Sequence, residues 1–170
     1  MTSIKRFTVL LAATALFSCN SNKEEEMEEE EIVIEDSSST ETPTLVFNPN
    51  SKLYVWRTTA DYKKKKNEEA LPAIINTDSL IKGLNEYYED VFLEKVKQGN
   101  DTLYTSIKDS KYLTQQMGTT GAEMYLADVV LNLTAVPGIK YVKIDMEAGD
   151  HAQPGTWSAD NFKNYKQVIQ

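Results

Sequence analysis

Residues 118–146 read GTTGAEMYLADVVLNLTAVPGIKYVKIDM, and this stretch decides the fold. Ala122, Tyr125, Leu126, Val129, Val130 and Leu133 recur at helical spacing and form one apolar stripe. Thr120-Gly121-Ala122-Glu123 has the T-x-x-E spacing of a capping box. In such a box the hydroxyl accepts the N3 amide and the carboxylate reaches back to the N-cap amide. Pro137 cannot continue a helix and Gly138 permits a tight turn, so the helix must stop near 134–136. Ile139–Met146 then alternates, with Val142, Ile144 and Met146 on one face. Helix, turn and strand make a unit that docks one apolar face on the other. Burying the helix stripe contributes on the order of 10 kcal/mol gross, opposed by the conformational entropy lost on ordering the chain.

Working upstream, Thr102–Lys108 reads as a strand with Leu103, Thr105 and Ile107 on one face. Leu80, Leu84, Tyr87, Tyr88, Val91 and Phe92 predict a helix over 78–97, with Asp78 or Ser79 as its cap and Gly99 as its stop. Residues 70–75 can add a further turn, limited by Pro72. Thr44–Asn48 and Lys52–Thr58 are strand candidates separated by Asn48-Pro49-Asn50. Leu53 and Val55 share one face of the second, Tyr54 and Trp56 the other. The four lysines 63–66 read as a solvated loop beside a sheet edge. Downstream, Ser158 can cap a last short helix that turns Phe162, Tyr165 and Ile169 inward.

Charge divides the 170 residues unevenly. Residues 1–18 carry +2, residues 19–42 carry 1 − 10 = −9, and residues 43–170 carry 15 − 16 = −1, which together give the net −8. The folded part is nearly neutral, so no nucleic-acid partner is expected. The chain has one His and one Cys, which excludes an internal disulfide, a Cys-based zinc site and a two-His metal motif.

The first residues read as an address. Lys5 and Arg6 precede Phe7–Phe17, an apolar run of 11 residues. A bilayer span needs about 20; 11 fits the core of a signal peptide. The run ends in Leu16-Phe17-Ser18-Cys19, which resembles a bacterial lipobox. The resemblance implies lipidation of Cys19, cleavage after Ser18, and membrane attachment through acyl chains, two or more of which hold firmly. Residues 24–31 then read EEEMEEEE and lead into a Ser/Thr/Pro stretch, the composition of an extended tether. An acidic tract behind the lipidated Cys resembles the surface-export signal of Bacteroidetes lipoproteins. It implies an outer-membrane, surface-exposed location. A spacer lifting the domain off an anionic surface is the simpler reading.

Met117 to Asp150 also resembles the C-terminal half of the GerMN-type domain, a family named for sporulation and spore-germination lipoproteins. The resemblance rests on Gly118-Thr119-Thr120-Gly121, the helix end Val130-Leu131-Asn132-Leu133-Thr134, the turn Pro137-Gly138, and Val142-Lys143-Ile144 in the strand. Glu147-Ala148-Gly149-Asp150 stands where the family has a D-G turn, and residues 44–116 fit only in the order of elements. It implies an α+β domain, a small sheet of three or four strands with two main helices on one face. It also implies a role in envelope assembly without catalytic residues.

The expected organisation is therefore a lipoprotein signal peptide over 1–18, an acidic disordered linker over 19–43 and a GerMN-like domain over 44–170. The expected function is a non-enzymatic envelope module anchored at Cys19, with an envelope protein or peptidoglycan as partner and with no catalytic, cofactor or metal site. A surface lipoprotein that binds or hydrolyses glycans or peptides is the alternative. Asp150-His151 is the pair that chemistry would use first, since His titrates near neutral pH. Adjacent residues in a turn do not by themselves make a dyad. No Ser or Thr stands in a G-x-S-x-G pattern. Tyr54, Trp56, Tyr62 and Trp157 read as core and edge aromatics, with a sugar-stacking platform as the sharper option.

Overall fold

The computed structural model describes residues 50–169. Cys19, the acidic tract and the expected strand at 44–48 lie outside them. In chain order the elements are β1 (Trp56–Thr59), β2 (Lys63–Lys66), α1 (Thr77–Tyr87), β3 (Glu94–Gly99), β4 (Thr102–Ile107), α2 (Gly118–Leu133), β5 (Tyr141–Met146), β6 (Gly155–Trp157) and β7 (Lys166–Val168). Short 3-10 turns cover Pro72–Ile74 and Ala159–Phe162, and a π-helical turn covers Tyr112–Gln116. The architecture is α+β. One sheet has the order β3-β4-β5-β6, and a second, three-stranded sheet has the order β1-β2-β7.

The segment quoted first folds largely as its pattern dictates. β4 and β5 pair in parallel from Thr102↔Tyr141 to Ile107↔Met146, and α2 makes the crossover between them. Leu103, Ile107, Val142 and Ile144 are buried on the sheet's inner face. Tyr104, Tyr141 and Lys143 occupy alternate positions on the same strands and are more exposed. The helix ends where Pro137-Gly138 requires. Thr134 follows its last residue, its hydroxyl donating to the Val130 carbonyl at 2.7 Å.

Four local expectations are corrected. The capping box is not used, because α2 starts earlier. A π-turn bond from the Met117 amide to the Tyr112 carbonyl (2.8 Å) feeds directly into it, and Gly118 takes φ +75° at the junction. The single stripe on α2 is too narrow a description. Ala127, Asp128, Leu131 and Asn132 are buried as well, since β1, α1 and β5 all touch this helix. The helix expected over 78–97 stops at Tyr87. Asn76 caps its start by accepting the Ser79 amide at 2.9 Å. Beyond Tyr87, Asn85 accepts the Leu93 amide (2.9 Å) and donates to the Leu93 carbonyl (3.0 Å), which turns the chain into β3. Gly99 then lies at a hairpin rather than a helix stop, with Asn100 taking φ +55°. The lysines 63–66 form a strand, paired with β1 on one side and β7 on the other.

At the C-terminal end Ser158 and Asn161 make a capping box, and Phe162 and Tyr165 are buried as expected. Ile169 is not inward; it is 92% exposed, because the chain has left the turn to pair β7 with β2. The two sheets meet around α2. Asn132 Oδ1 accepts the amides of Val55 (2.6 Å) and Trp56 (2.9 Å), and its Nδ2 donates to the Trp56 carbonyl at 2.8 Å. One turn earlier, Asp128 Oδ1 accepts the Thr58 amide at 2.8 Å and Oδ2 accepts the Tyr88 hydroxyl at 2.7 Å. Two helix side chains thus satisfy the edge of β1, as buried backbone groups require.

Candidate functional site

The turn at 147–153 is held rigidly to the segment before α2. The Ser110 hydroxyl donates to the Glu147 carbonyl (3.0 Å), the His151 amide to the Thr114 carbonyl (2.9 Å), and the Gly149 amide to the Ala152 carbonyl (3.0 Å). This anchoring sets His151 beside the first turn of α2, where His151 Nδ1 lies 3.1 Å from the Thr119 hydroxyl. Between the turn, α2 and the 3-10 turn at 159–162 opens a groove of about 440 Å³. Thr119, Glu123, His151, Gln153, Trp157 and Asn161 are among its lining residues. Glu123 sits one helical turn after Thr119 and accepts the Tyr62 hydroxyl at 3.2 Å. That contact raises the Tyr62 pKa, the hydrogen bond being the larger cause and the charge of Glu123 the smaller.

Asp150 and His151 both line this groove. Among the described hydrogen bonds, however, the His151 ring bonds Thr119 and not Asp150. A Thr hydroxyl against an imidazole nitrogen is half of a nucleophile–base arrangement. The groove also carries the Glu123 and Asp150 carboxylates, the indole of Trp157 and the amides of Gln153 and Asn161, a mixed polar and aromatic lining of the kind that binds a polar ligand. Thr119, Glu123 and Asn161 were not read as site residues. The only signal for the first two was their i, i+4 spacing on a helix, which gains meaning once the distant turn is placed against it.

The four aromatics considered for a platform go to different partners. Tyr54 packs on the Arg57 guanidinium (4.2 Å), which the Tyr87 ring also contacts at 3.9 Å. Trp56 lies under the Lys64 ammonium (5.1 Å), Tyr62 meets Tyr165 edge-on (5.4 Å), and Trp157 lines the groove. The most perturbed acid, Asp128, is fully buried under β1. Burial pushes its pKa up to about 6, against the opposing pull of Arg57 and of the hydrogen bonds from Tyr88 and Thr58. Its partners are backbone and core groups, so it serves the fold. Burial likewise pushes the Tyr125 hydroxyl far above its ordinary value. Among the described residues no three His, Cys, Asp or Glu side chains come together to hold a metal. No described helix is long and apolar enough to cross a membrane.

No protein-family model, curated protein or solved structure matches this chain.

Proposed function

We propose that the chain is a lipid-anchored bacterial envelope lipoprotein whose folded part is a non-catalytic binding module for an envelope protein or the wall glycan. The anchor is Cys19, behind the 11-residue apolar run. The outer membrane is its location, and the acidic tract that follows directs it to the cell surface. The observation that carries the binding reading is the groove beside α2. Trp157 lines it, together with Thr119, Gln153 and Asn161 and the carboxylates of Glu123 and Asp150. An indole beside amide, hydroxyl and carboxylate groups is chemistry that sugar hydroxyls and peptide amides take. The GerMN-type resemblance points the same way, toward envelope assembly.

Cosedimentation of the purified Cys19→Ala protein with insoluble peptidoglycan tests the reading, alongside crosslinking on intact cells. The expected result is retention with wall material or with one envelope protein, reduced at least about tenfold by Trp157→Ala, as for loss of a central aromatic anchor. Recovery of neither wall material nor a partner overturns it. Protease shaving of intact cells tests surface display; a fully protected domain on acylated protein rejects it.

The 3.1 Å approach of Thr119 to His151 favours a second reading, hydrolysis of a glycan or peptide in the same groove. An activity on wall fragments that is lost in a folded His151→Ala protein would establish that reading in place of the first.

A further inference from the structure

Charge sets the groove beside α2 apart from the larger groove between α1 and β3. In the larger one every acid meets a lysine. Asp78 meets Lys95 at 2.9 Å, Glu86 meets Lys82 at 3.7 Å and Glu94 meets Lys108 at 2.8 Å. In the groove beside α2, Glu123 and Asp150 are lining residues, and no lining residue is Lys or Arg. Neither of these two acids belongs to an ion pair among the described residues. The Tyr62 hydroxyl that Glu123 accepts is a neutral donor and leaves the negative charge in place.

The same groove holds an aromatic surface in a fixed position. A Cβ on Gly155 would lie 2.8 Å from the Trp157 ring, so the indole rests on the strand where only glycine leaves room for it. An indole face attracts a cation through its quadrupole. Uncompensated carboxylates beside it attract a cation as well, and they repel an anion. A volume of about 440 Å³ is that of a small-molecule pocket. It does not match the broad contact that two folded proteins make.

We propose that this groove takes a primary ammonium group of the wall polymer, held by the Glu123 and Asp150 carboxylates, with the sugar or peptide residue that bears it against Trp157. This rests on the binding reading given above and narrows its ligand from wall material in general to the free amines on it. Capping such an amine removes the charge that the two acids recognise. An amino sugar and a wall peptide present the same ammonium, and competition separates them.

Cosedimentation of the full chain carrying Cys19→Ala with insoluble peptidoglycan tests this, before and after acetic anhydride caps the free amines of the wall. The expected result is retention at least about fivefold lower on the capped wall, as for loss of a charge pair. Glu123→Gln/Asp150→Asn should show that lower retention on both forms, with its urea midpoint reporting that it is folded. If it is not folded, Asp150→Asn alone, on an exposed turn, replaces it. Glu68→Gln removes an exposed acid outside the groove and should behave as wild type. A soluble glucosamine oligomer and a lysine-containing peptide then compete for the native wall. Displacement by the first assigns an amino sugar, and displacement by the second a wall peptide. Equal retention on native and capped wall overturns the inference and leaves the binding reading standing. So does displacement by neither probe, or a folded variant that still distinguishes the two walls as wild type does. Retention on neither wall rejects the binding reading, and the inference with it.

Discussion

Asp128 is where one residue ties the molecule to pH. Its carboxyl titrates at about 6 when folded and at 3.8 as a free side chain. The folded state therefore holds this proton more tightly than the unfolded state does. Stability from this group is fully present below pH 4 and is lost as pH rises through 6. A gap of about two pH units corresponds to on the order of 3 kcal/mol. Urea unfolding at pH 4, 5, 6 and 7 should show wild type losing stability relative to Asp128→Asn across that interval. Parallel curves for the two proteins would show that the carboxyl is not proton-bound in the fold. Asn132 is the companion case, without charge. Asn132→Ala leaves the Val55 and Trp56 amides buried and unpaired. It should cost about 2–4 kcal/mol, measured as a fall in the urea midpoint at unchanged slope. Neither residue was legible as special beforehand. Both sit in an apolar helical run, and the segment they clamp is 70 to 77 residues away in sequence.

At the scale of elements, the sequence announced β4, α2 and β5 because each carries its own periodicity and its own stop. It misread β2 and β3 for one shared reason: neither has an apolar face. Glu94–Gly99 shows mostly exposed side chains, so the helical spacing of Val91 and Phe92 ran on through it. Four consecutive lysines have poor intrinsic strand preference; partners on both sides impose the conformation. The groove beside α2 was half legible. Asp150-His151 stood out as a pair, whereas Thr119 and Trp157 join it only through the fold. The lysine strand also carries a cost that can be measured. Lys63 stands directly opposite Lys166. The two strands are parallel and Lys63 is already paired with Asp61 at 2.6 Å, so the residual repulsion is at the low end, about 0.2–0.5 kcal/mol. Lys166→Glu should therefore raise stability by about that amount at low salt, with the gain shrinking in 0.5 M salt; a loss of stability would show that the lysines are held apart.

For the whole molecule, the expected α+β module was legible, whereas its division into two sheets joined through α2 was not. That division depends on side chains reaching across the chain rather than on any local pattern. The anchor prediction belongs at this scale. Cys19→Ala should leave the module folded by circular dichroism but move it from the membrane pellet to the soluble fraction; retention in the pellet would place the anchor elsewhere. Wiring of the smaller sheet has a consequence for biosynthesis. β2 waits for β7, which follows it by 166 − 63 = 103 residues. Until residues 166–168 are made, β2 has only β1 as a strand partner. Cutting the chain before residue 166 should therefore leave β1 and β2 as a bare hairpin against α2, with Lys63–Lys66 unpaired along one side.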